Sequence, residues 1–270
     1  MLQDCLEFAT ATDMGLVRSY NEDSVAVDSS SGIVVLADGM GGHRAGEVAS
    51  RMATENVLAY LKSYVARLEQ GAAQTTLSKG ITRAVVKANR AIYELGRSRA
   101  DYEGMGTTLA ATVFFGNTVT LANVGDSRVY RLRGNRLMQL SREDSLLRHQ
   151  VQAGLISQQL ASHSHNRGLV TQALGVSEQL SPHVIQESAQ PGDLFLICSD
   201  GLTDLVGDGD IALVMGTLEA NLPLAATHLV QLANDLGGRD NVTVALVKVS
   251  KAFPSLEASS WTQRLFGWIR

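Results

Sequence analysis

Four aspartates stand at the ends of strongly apolar segments of the chain. Asp38 ends VVLAD, Asp126 ends LANVGD, Asp200 ends LFLICSD, and Asp240 comes directly before NVTVALVKV. A single aspartate at such a place is usually a turn residue that bonds nearby backbone groups. Four of them suggest a shared site, because carboxylates brought together at strand ends repel one another strongly unless cations lie between them.

The types of the candidate ligands indicate which cations such a site would hold. Carboxylates, a backbone carbonyl and water suit hard ions such as Mg²⁺ or Mn²⁺. Zinc would require histidine or cysteine ligands, and the sequence has no suitably spaced pair of them. Two hard ions, roughly 3.5–4 Å apart, activate a bridging water and stabilise an in-line displacement at phosphorus. The aspartates therefore predict metal-dependent phosphoryl chemistry.

The glycines of DGMGGHRAGE could instead belong to a nucleotide-binding loop. A dinucleotide-binding fingerprint that begins at Gly39 needs a glycine where Arg44 stands. A P-loop read over Gly41–Gly46 needs a lysine where Glu47 stands. Because both alternatives fail at a position that their chemistry requires, we expect the glycines to let the Gly39 carbonyl reach a metal ion.

Composition excludes several classes of protein. The 270 residues are 45% hydrophobic and 19% charged, which is typical of a globular protein with an ample core. The net charge of −4 argues against a nucleic-acid partner. No apolar run approaches the roughly 20 residues that span a bilayer, and the N-terminal stretch MLQDCLEFATATD is unlike a signal peptide. With only two cysteines, Cys5 and Cys198, we expect a cytoplasmic protein without a disulfide framework.

Short apolar or alternating segments separated by turn residues predict many antiparallel strands. Gly116-Asn117 and Gly134-Asn135 lie between pairs of such segments and are typical of hairpin turns. The predicted strands are Glu7–Ala11, Ser24–Val27, Ile33–Ala37, Leu109–Phe115, Thr118–Asn123, Arg128–Arg133, Leu194–Cys198 and Val242–Val249.

Helical periodicity predicts two long helices and three shorter ones. They are expected at about Ala45–Leu68, Leu77–Leu95, Ser145–Ala153, Asp210–Thr217 and Pro223–Leu236. The apolar face of the first long helix is expected to carry Val48, Met52, Leu61, Val65 and Leu68.

No repeat, low-complexity segment or linker interrupts this pattern, so we expect one domain over residues 1–250 and a tail over residues 251–270. In the tail, SSWTQRLFGWIR places Trp261, Leu265 and Trp268 on one helical face. Such an amphipathic segment binds a partner or a membrane surface, or it packs on the domain itself. The sequence leaves these alternatives open.

The order of the motifs resembles that of a known enzyme family. GLVRSYNEDS, LADGMGGHRAGEVAS, GMGTTLAAT, ANVGDSRVYRLR, TQALG, CSDGLTD and GGRDNVTVALV follow one another as in the bacterial PPM-type (PP2C-like) metal-dependent serine/threonine protein phosphatases. The resemblance extends from Thr10 to Val249. It implies an α+β fold in four α-β-β-α layers, in which two central antiparallel β-sheets are flanked by helices.

The resemblance also implies how the core metal ions are held. Asp38 would bridge two ions, with the Gly39 carbonyl on one of them. Asp200 and Asp240 would hold the other ion. The cofactors would be two Mn²⁺ or Mg²⁺ ions, with a third ion in bacterial members.

Further acidic residues would surround this centre. The resemblance implies that Asp126, together with Asp200, supports the third and weaker metal site. Glu22 and Asp23, in the motif NED, would lie close by and hold metal-bound waters. Asn241 would be a supporting neighbour.

Arg18 and His43 are the residues that we expect to act on the substrate. From the local sequence alone, Arg18 is an ordinary surface arginine and His43 an ordinary hydrogen-bonded loop histidine. The resemblance implies instead that Arg18 grips the substrate phosphate, a task that suits a planar guanidinium. It also implies that His43 protonates the departing seryl or threonyl oxygen, since imidazole titrates in the useful pH range.

One segment departs from the family pattern. Where bacterial members usually carry a His-Pro and an Arg-Asn pair, this chain reads SHSHNRGLVTQALG, with Gly168 and Gln172 at positions that are usually asparagine and arginine. The resemblance places the segment around Ser162–Gly168 in a flap beside the active site. The departure therefore bears on substrate choice and not on the metal centre.

Together these features predict one activity. A metal-bridging hydroxide would hydrolyse phosphoserine and phosphothreonine on proteins without a covalent enzyme intermediate. We expect a monomer, and the resemblance implies phosphoprotein substrates that include a Hanks-type serine/threonine kinase and its targets. Two alternatives stay open, namely a phosphatase of small-molecule phosphate esters and a catalytically silent regulatory module.

Overall fold

The computed structural model describes residues 4–41, 45–69, 77–145, 151 and 170–253. The strands are β1 (Leu6–Asp13), β2 (Asp23–Asp28), β3 (Ile33–Met40), β4 (Gly106–Thr107), β5 (Leu109–Phe115), β6 (Thr118–Val124), β7 (Arg128–Arg133), β8 (Arg136–Gln139), β9 (His183–Ser188), β10 (Leu194–Cys198) and β11 (Val242–Val249). The α-helices are α1 (Ala45–Glu69), α2 (Leu77–Ser98), α3 (Asp200–Thr203), α4 (Asp208–Thr217) and α5 (Leu222–Asp235), and a 3₁₀ turn spans Ala100–Tyr102.

All eight predicted strands form, and the sequence analysis missed β4, β8 and β9. β4 has only two residues, while β8 and β9 are partly exposed and carry many polar side chains, so neither shows a clear apolar alternation. Four of the five predicted helices lie within the described residues and are confirmed. The fifth, at Ser145–Ala153, falls mostly outside them, and Ser145 itself pairs with Val170 in an isolated bridge.

Two antiparallel sheets form the centre of the molecule. The first has the strand order β1-β11-β10-β7-β8, and the second has the order β2-β3-β5-β6-β9, with β4 paired to β3. The predicted hairpins join β5 to β6 and β7 to β8. Gly116 and Gly134 turn them with φ of 58° and 55°, values that favour glycine.

The molecule has four layers of helices and sheets, and a cluster of apolar side chains fills each of the three spaces between them. Helices α1 and α2 pack on the outer face of the second sheet, and α4 and α5 pack on the outer face of the first. Between the sheets, Phe114 and Phe195 meet edge to face with ring centroids 5.1 Å apart. The predicted α-β-β-α sandwich is therefore confirmed.

The buried face of α1 differs from the prediction in its N-terminal half. Val48 and Met52 are only partly buried, whereas Ala45, Ala49 and Ala53 are buried in the core. These small side chains let α1 lie close to β3. Alanine contributes little to a hydrophobic pattern, so the pattern placed the larger residues Val48 and Met52 on the buried face.

The end of the described chain is tied to the domain. The Ser250 N–H donates to the Cys5 carbonyl at 2.8 Å, and the Phe253 side chain is buried between the sheets. The Trp261–Arg270 segment lies outside the described residues. Among the helices that the structure describes, none has the length and apolar character needed to cross a membrane.

Candidate active site

Asp38 lies near the end of β3, where two threonines fix its backbone. The Asp38 N–H donates to Thr108 Oγ1 at 3.0 Å, and Thr107 Oγ1 donates to the Asp38 carbonyl at 2.8 Å. Asp23, the first residue of β2, is the direct cross-strand partner of Asp38. Directly paired residues share one face of a sheet, so the two carboxyl groups lie close together, an arrangement that costs free energy when both are charged.

Asp200 joins the first sheet to this pair of acids. It follows β10 and begins α3. The preceding Ser199 donates its hydroxyl to Asp23 Oδ2 at 2.8 Å and accepts from the Thr243 N–H of β11 at 3.0 Å. Ser199 thereby connects β10, β11 and β2. Asp200 lies so near to Asp38 that each carboxyl group shifts the pKa of the other.

Asp240 and Arg18 form the rim of the site. The Arg18 guanidinium donates to Asp240 Oδ2 at 2.6 Å, and the Asn241 N–H donates to Asp240 Oδ1 at 2.9 Å. The hydrogen bond to Asp240 raises the pKa of Arg18 above its ordinary value. The Arg18 side chain is 52% exposed, so the cation that we predicted for substrate phosphate stands at the mouth of the site.

Asn241 fixes the chain segment that carries Arg18. Its side-chain amide donates to the carbonyls of Met14 and Tyr20 at 2.9 Å each, and its Oδ1 accepts from the Glu22 N–H at 2.8 Å. One side chain therefore closes the loop between β1 and β2 and also positions Glu22. This role is more specific than the supporting neighbour that the resemblance implied.

Asp126 lies in the turn between β6 and β7. Gly125 precedes it with φ of 89°, and the Gly125 N–H donates to the buried Asp144 carboxylate at 3.2 Å. Burial, followed by the nearby charge of Asp200, raises the pKa of Asp126 to about 8. Asp126 thus lies within electrostatic range of Asp200.

Burial is the largest cause of the raised pKa values throughout this cluster. It raises the pKa of Asp38 well above the ordinary range, with repulsion from Asp23 and Asp200 adding to the effect. The pKa of Asp23 rises to about 7 and that of Asp200 to about 6. Burial also raises the pKa of Glu22, although Arg18 opposes the change. Such a group of acids needs protons or cations to be tolerated.

The donor set fits a hard divalent cation. Asp23 Oδ1 and Asp200 Oδ1 are buried and accept no hydrogen bond from the part of the chain that the structure describes. Leaving such oxygens without a partner costs free energy, and carboxylate oxygens are the ligands that Mg²⁺ and Mn²⁺ prefer. Among the described residues, no three acidic, histidine or cysteine side chains are grouped closely enough to hold one metal ion.

Gly39 is required for a reason that the sequence did not reveal. A Cβ atom there would lie 2.2 Å from the Gly46 carbonyl oxygen and 2.6 Å from that of Glu22. Glycine therefore lets β3, the start of α1 and the segment before β2 approach one another. Whether the Gly39 carbonyl also binds a metal stays a prediction. His43 and the Ser162–Gly168 segment lie outside the described residues.

The structure brings most of the predicted site residues to one end of the two sheets. They are Arg18, Glu22, Asp23, Asp38, Gly39, Asp126, Asp200 and Asp240. The sequence analysis overlooked Ser199, although its position directly before Asp200 in CSDG was a usable signal.

Residues 17–233 match the family model described as Protein phosphatase 2C. The chain is 37% identical over 240 residues to the serine/threonine phosphatase stp of Listeria welshimeri, with 88% of this chain and 93% of that protein covered. It is 40% identical over 245 residues to the serine/threonine protein phosphatase PstP of Mycobacterium tuberculosis. That alignment covers 90% of this chain and 45% of the longer relative.

A solved structure extends the similarity to three dimensions. It is the catalytic domain of the serine threonine protein phosphatase PstP in complex with two manganese ions. The TM-score is 0.77 at 38% identity, and the match covers 90% of this chain and 98% of that one. The sequence, the fold and the cluster of acids agree. The chain therefore belongs to the protein phosphatase 2C family and is a protein phosphatase.

Proposed function

We propose that this phosphatase hydrolyses phosphoserine and phosphothreonine on proteins with two Mn²⁺ or Mg²⁺ ions, and that a third ion binds more weakly. The observation that carries the proposal is the meeting of acids from separate segments, with unpartnered buried oxygens on Asp23 and Asp200. Like charges buried together are costly, and divalent cations offset that cost. The relatives named as serine/threonine phosphatases, one of them solved with manganese, support the substrate class and the metal.

The residues would divide the work of holding the ions. Asp38, the Gly39 carbonyl, Asp200 and Asp240 would hold the two core ions. Asp126 and Asp200 would hold the third. When bound, the ions lower the pKa of a water molecule and neutralise charge that develops on the phosphoryl oxygens.

Two acids of the motif NED would orient water around this centre. Asp23 is held by the Ser199 hydroxyl, which leaves its other carboxylate oxygen directed at the cluster. The Glu22 backbone is held by Asn241. The Asp23 side chain and the Glu22 backbone are therefore held in place before any ligand arrives, so that less ordering is needed during the reaction.

Arg18 would hold the substrate phosphate. A guanidinium has five N–H donors, and Asp240 accepts from one of them in this structure. The remaining donors suit a bidentate contact with phosphate oxygens. Asp240 thereby links the phosphate-holding cation to the metal centre, because its carboxylate contacts Arg18 directly.

The test uses Mn²⁺-dependent hydrolysis and a matched pair of aspartates. We expect Asp240→Ala to lower kcat/KM for a phosphothreonine peptide by roughly 100-fold, or about 2.7 kcal/mol of transition-state stabilisation. Asp235→Ala, at the exposed end of α5, is the control and keeps the wild-type rate. EDTA should abolish hydrolysis, and Mn²⁺ should restore it. A wild-type protein that hydrolyses p-nitrophenyl phosphate but no phosphopeptide would instead be a small-molecule phosphatase.

For His43 we propose the role of general acid toward the departing alcohol. His43→Gln is expected to slow hydrolysis of a phosphothreonine peptide by roughly 100-fold. The same variant should hydrolyse p-nitrophenyl phosphate at nearly the wild-type rate, because p-nitrophenolate departs readily without a proton. His228→Gln, on the exposed side of α5, is the matched control. Equal slowing with both substrates would contradict the role.

We also propose that the enzyme is a cytoplasmic monomer that dephosphorylates a serine/threonine kinase and its targets. Its only two cysteines are buried and free, as expected in a reducing compartment. In this proposal residues 1–250 form the phosphatase domain, and the tail over residues 251–270 is anchored by Phe253. Light scattering on the full chain, and on a chain that ends at Phe253, tests the monomer and any contribution of the tail.

A further inference from the structure

The loop between β1 and β2 exposes a group of apolar side chains next to Arg18. This group, the apolar rim, consists of Met14, Leu16, Val17 and Tyr20, which are 41%, 70%, 66% and 51% exposed. Isolated exposed apolar residues are ordinary on a protein surface. Four of them within one short loop form a patch, and such patches mark sites of interaction.

The loop that carries the apolar rim is firmly held. The Leu16 N–H donates to the Gly238 carbonyl at 2.7 Å. Gly15 has φ of +76°, and a Cβ there would lie only 2.3 Å from the Asp240 carbonyl oxygen. The Asn241 amide binds the carbonyls at both ends of the loop. The exposure of the apolar rim is therefore a property of an ordered surface and not of a fraying segment.

The apolar rim lies directly beside Arg18 in the chain. Leu16 and Val17 directly precede Arg18 in the chain, and consecutive Cα atoms are about 3.8 Å apart. A substrate residue next to a phosphoserine is displaced from it by the same spacing. When Arg18 holds the phosphate, the adjacent substrate side chain therefore comes within reach of Leu16 and Val17.

We propose that the apolar rim is a specificity surface, which selects phosphoproteins with an apolar residue directly beside the phosphorylated serine or threonine. This inference rests on the proposed function, in which Arg18 holds the phosphate. The rim carries no charge of its own, so it gives an adjacent acidic or basic side chain no partner. An apolar neighbour instead removes its own surface and that of the rim from water.

The experiment uses pairs of phosphothreonine peptides. The two peptides of a pair differ only in one residue, leucine or serine, which directly precedes the phosphothreonine in one pair and directly follows it in the other. We expect the wild-type protein to favour leucine on one side by roughly fivefold or more in kcat/KM. Leu16→Ser/Val17→Ser should bring that ratio close to one. Leu213→Ser is the matched control, since Leu213 is 66% exposed on α4, and it should keep the wild-type ratio.

The outcomes separate this inference from the proposed function. Hydrolysis of p-nitrophenyl phosphate, which has no neighbouring residues, reports the phosphatase reaction alone. A wild-type ratio of one on both sides overturns the inference while that reaction persists, whereas loss of all Mn²⁺-dependent hydrolysis overturns the proposed function. The double variant could instead keep the wild-type ratio of kcat/KM for the two peptides and differ from wild type in its mass by light scattering. That result would assign the apolar rim to self-association and overturn the inference. Should the double variant not fold, the wild-type peptide pair still decides, and Leu16→Met should keep the preference.

Discussion

Asp193 and Asp200 flank the same strand, β10, and the structure treats them in opposite ways. Asp193 precedes the strand and accepts from Arg133 through both carboxylate oxygens, at 2.6 and 2.7 Å, and from the Gln190 N–H at 2.8 Å. Asp200 follows the strand, has an unpartnered buried oxygen, and lies against another acid, Asp38. Both residues are buried or nearly so.

This difference separates a carboxylate that stabilises the fold from one that is kept for a ligand. Asp193 has a cation and a backbone donor supplied by the chain itself, so its burial is compensated within the fold. Asp200 has no salt bridge among the described residues, and burial, followed by the charge of Asp204, raises its pKa. A site that must bind divalent ions has to leave its oxygens available in this way.

The largest expected effect is on catalysis. If Asp200 binds the core metal as proposed, Asp200→Asn should reduce kcat/KM with Mn²⁺ by roughly 1,000-fold or more, about 4 kcal/mol, because one charged oxygen donor is lost. Asp193→Asn should leave the rate of the folded enzyme within about threefold of wild type. Steady-state kinetics on one phosphopeptide check both. Similar losses in the two variants would remove the distinction between the two ends of β10.

The variants of Asp193 and Asp200 should also differ in how much Mn²⁺ raises their free energy of unfolding. At an Mn²⁺ concentration 100 times the dissociation constant, the free energy of unfolding should rise by about 2.7 kcal/mol. Asp193→Asn should show the same rise, whereas Asp200→Asn should show much less of it. Urea unfolding with Mn²⁺ and with EDTA measures the difference. If Asp200→Asn were stabilised as strongly as wild type, Asp200 would not be a ligand.

Without metal, Asp193→Asn should be the more damaging of the two substitutions, as measured by the free energy of unfolding. Asp193→Asn should lower the free energy of unfolding by about 2 kcal/mol, because Arg133 loses its charged partner, although the 36% exposure of Arg133 keeps the loss moderate. Asp200→Asn in EDTA should be neutral or stabilising, since it removes one charge from a repelling group. A marked destabilisation by Asp200→Asn in EDTA would contradict this account.

The smallest effect concerns Asp28, a partly buried aspartate with a cationic partner, Lys62. Burial raises its pKa, but hydrogen bonds from Lys62, Ser30 and Ser31 outweigh burial and lower the pKa from 3.8 to about 2. Because the folded pKa lies below the unfolded one, the stabilisation is present above pH 4 and is lost as the pH falls toward 2. Lys62→Gln should remove less than about 1 kcal/mol of it. Acid unfolding of both proteins checks this.

The strands and the identities of the acids could be predicted from the sequence, because both depend on local patterns. β10 and β11 are continuous apolar runs, whereas β9 is a polar edge strand without such a signal. The packing of the two sheets on each other could not be read locally, and this packing places Asp200, which follows a strand of the first sheet, beside Asp38 of the second. The Ser199 hydroxyl bond to Asp23 and the contacts of the Asn241 amide also join distant parts of the chain, so they emerged only from the structure.

The position of β11 has a consequence for synthesis of the enzyme. β11, the last strand in the described part of the chain, lies between β1 and β10, so the first sheet keeps an open gap until that strand has been synthesised. Asp240 and Asn241 are made just before that strand, and they supply the side-chain contacts to Arg18 and to the carbonyls of Met14 and Tyr20. A nascent chain that stops before β11 would therefore lack both the centre of the first sheet and the Asp240 partner of Arg18.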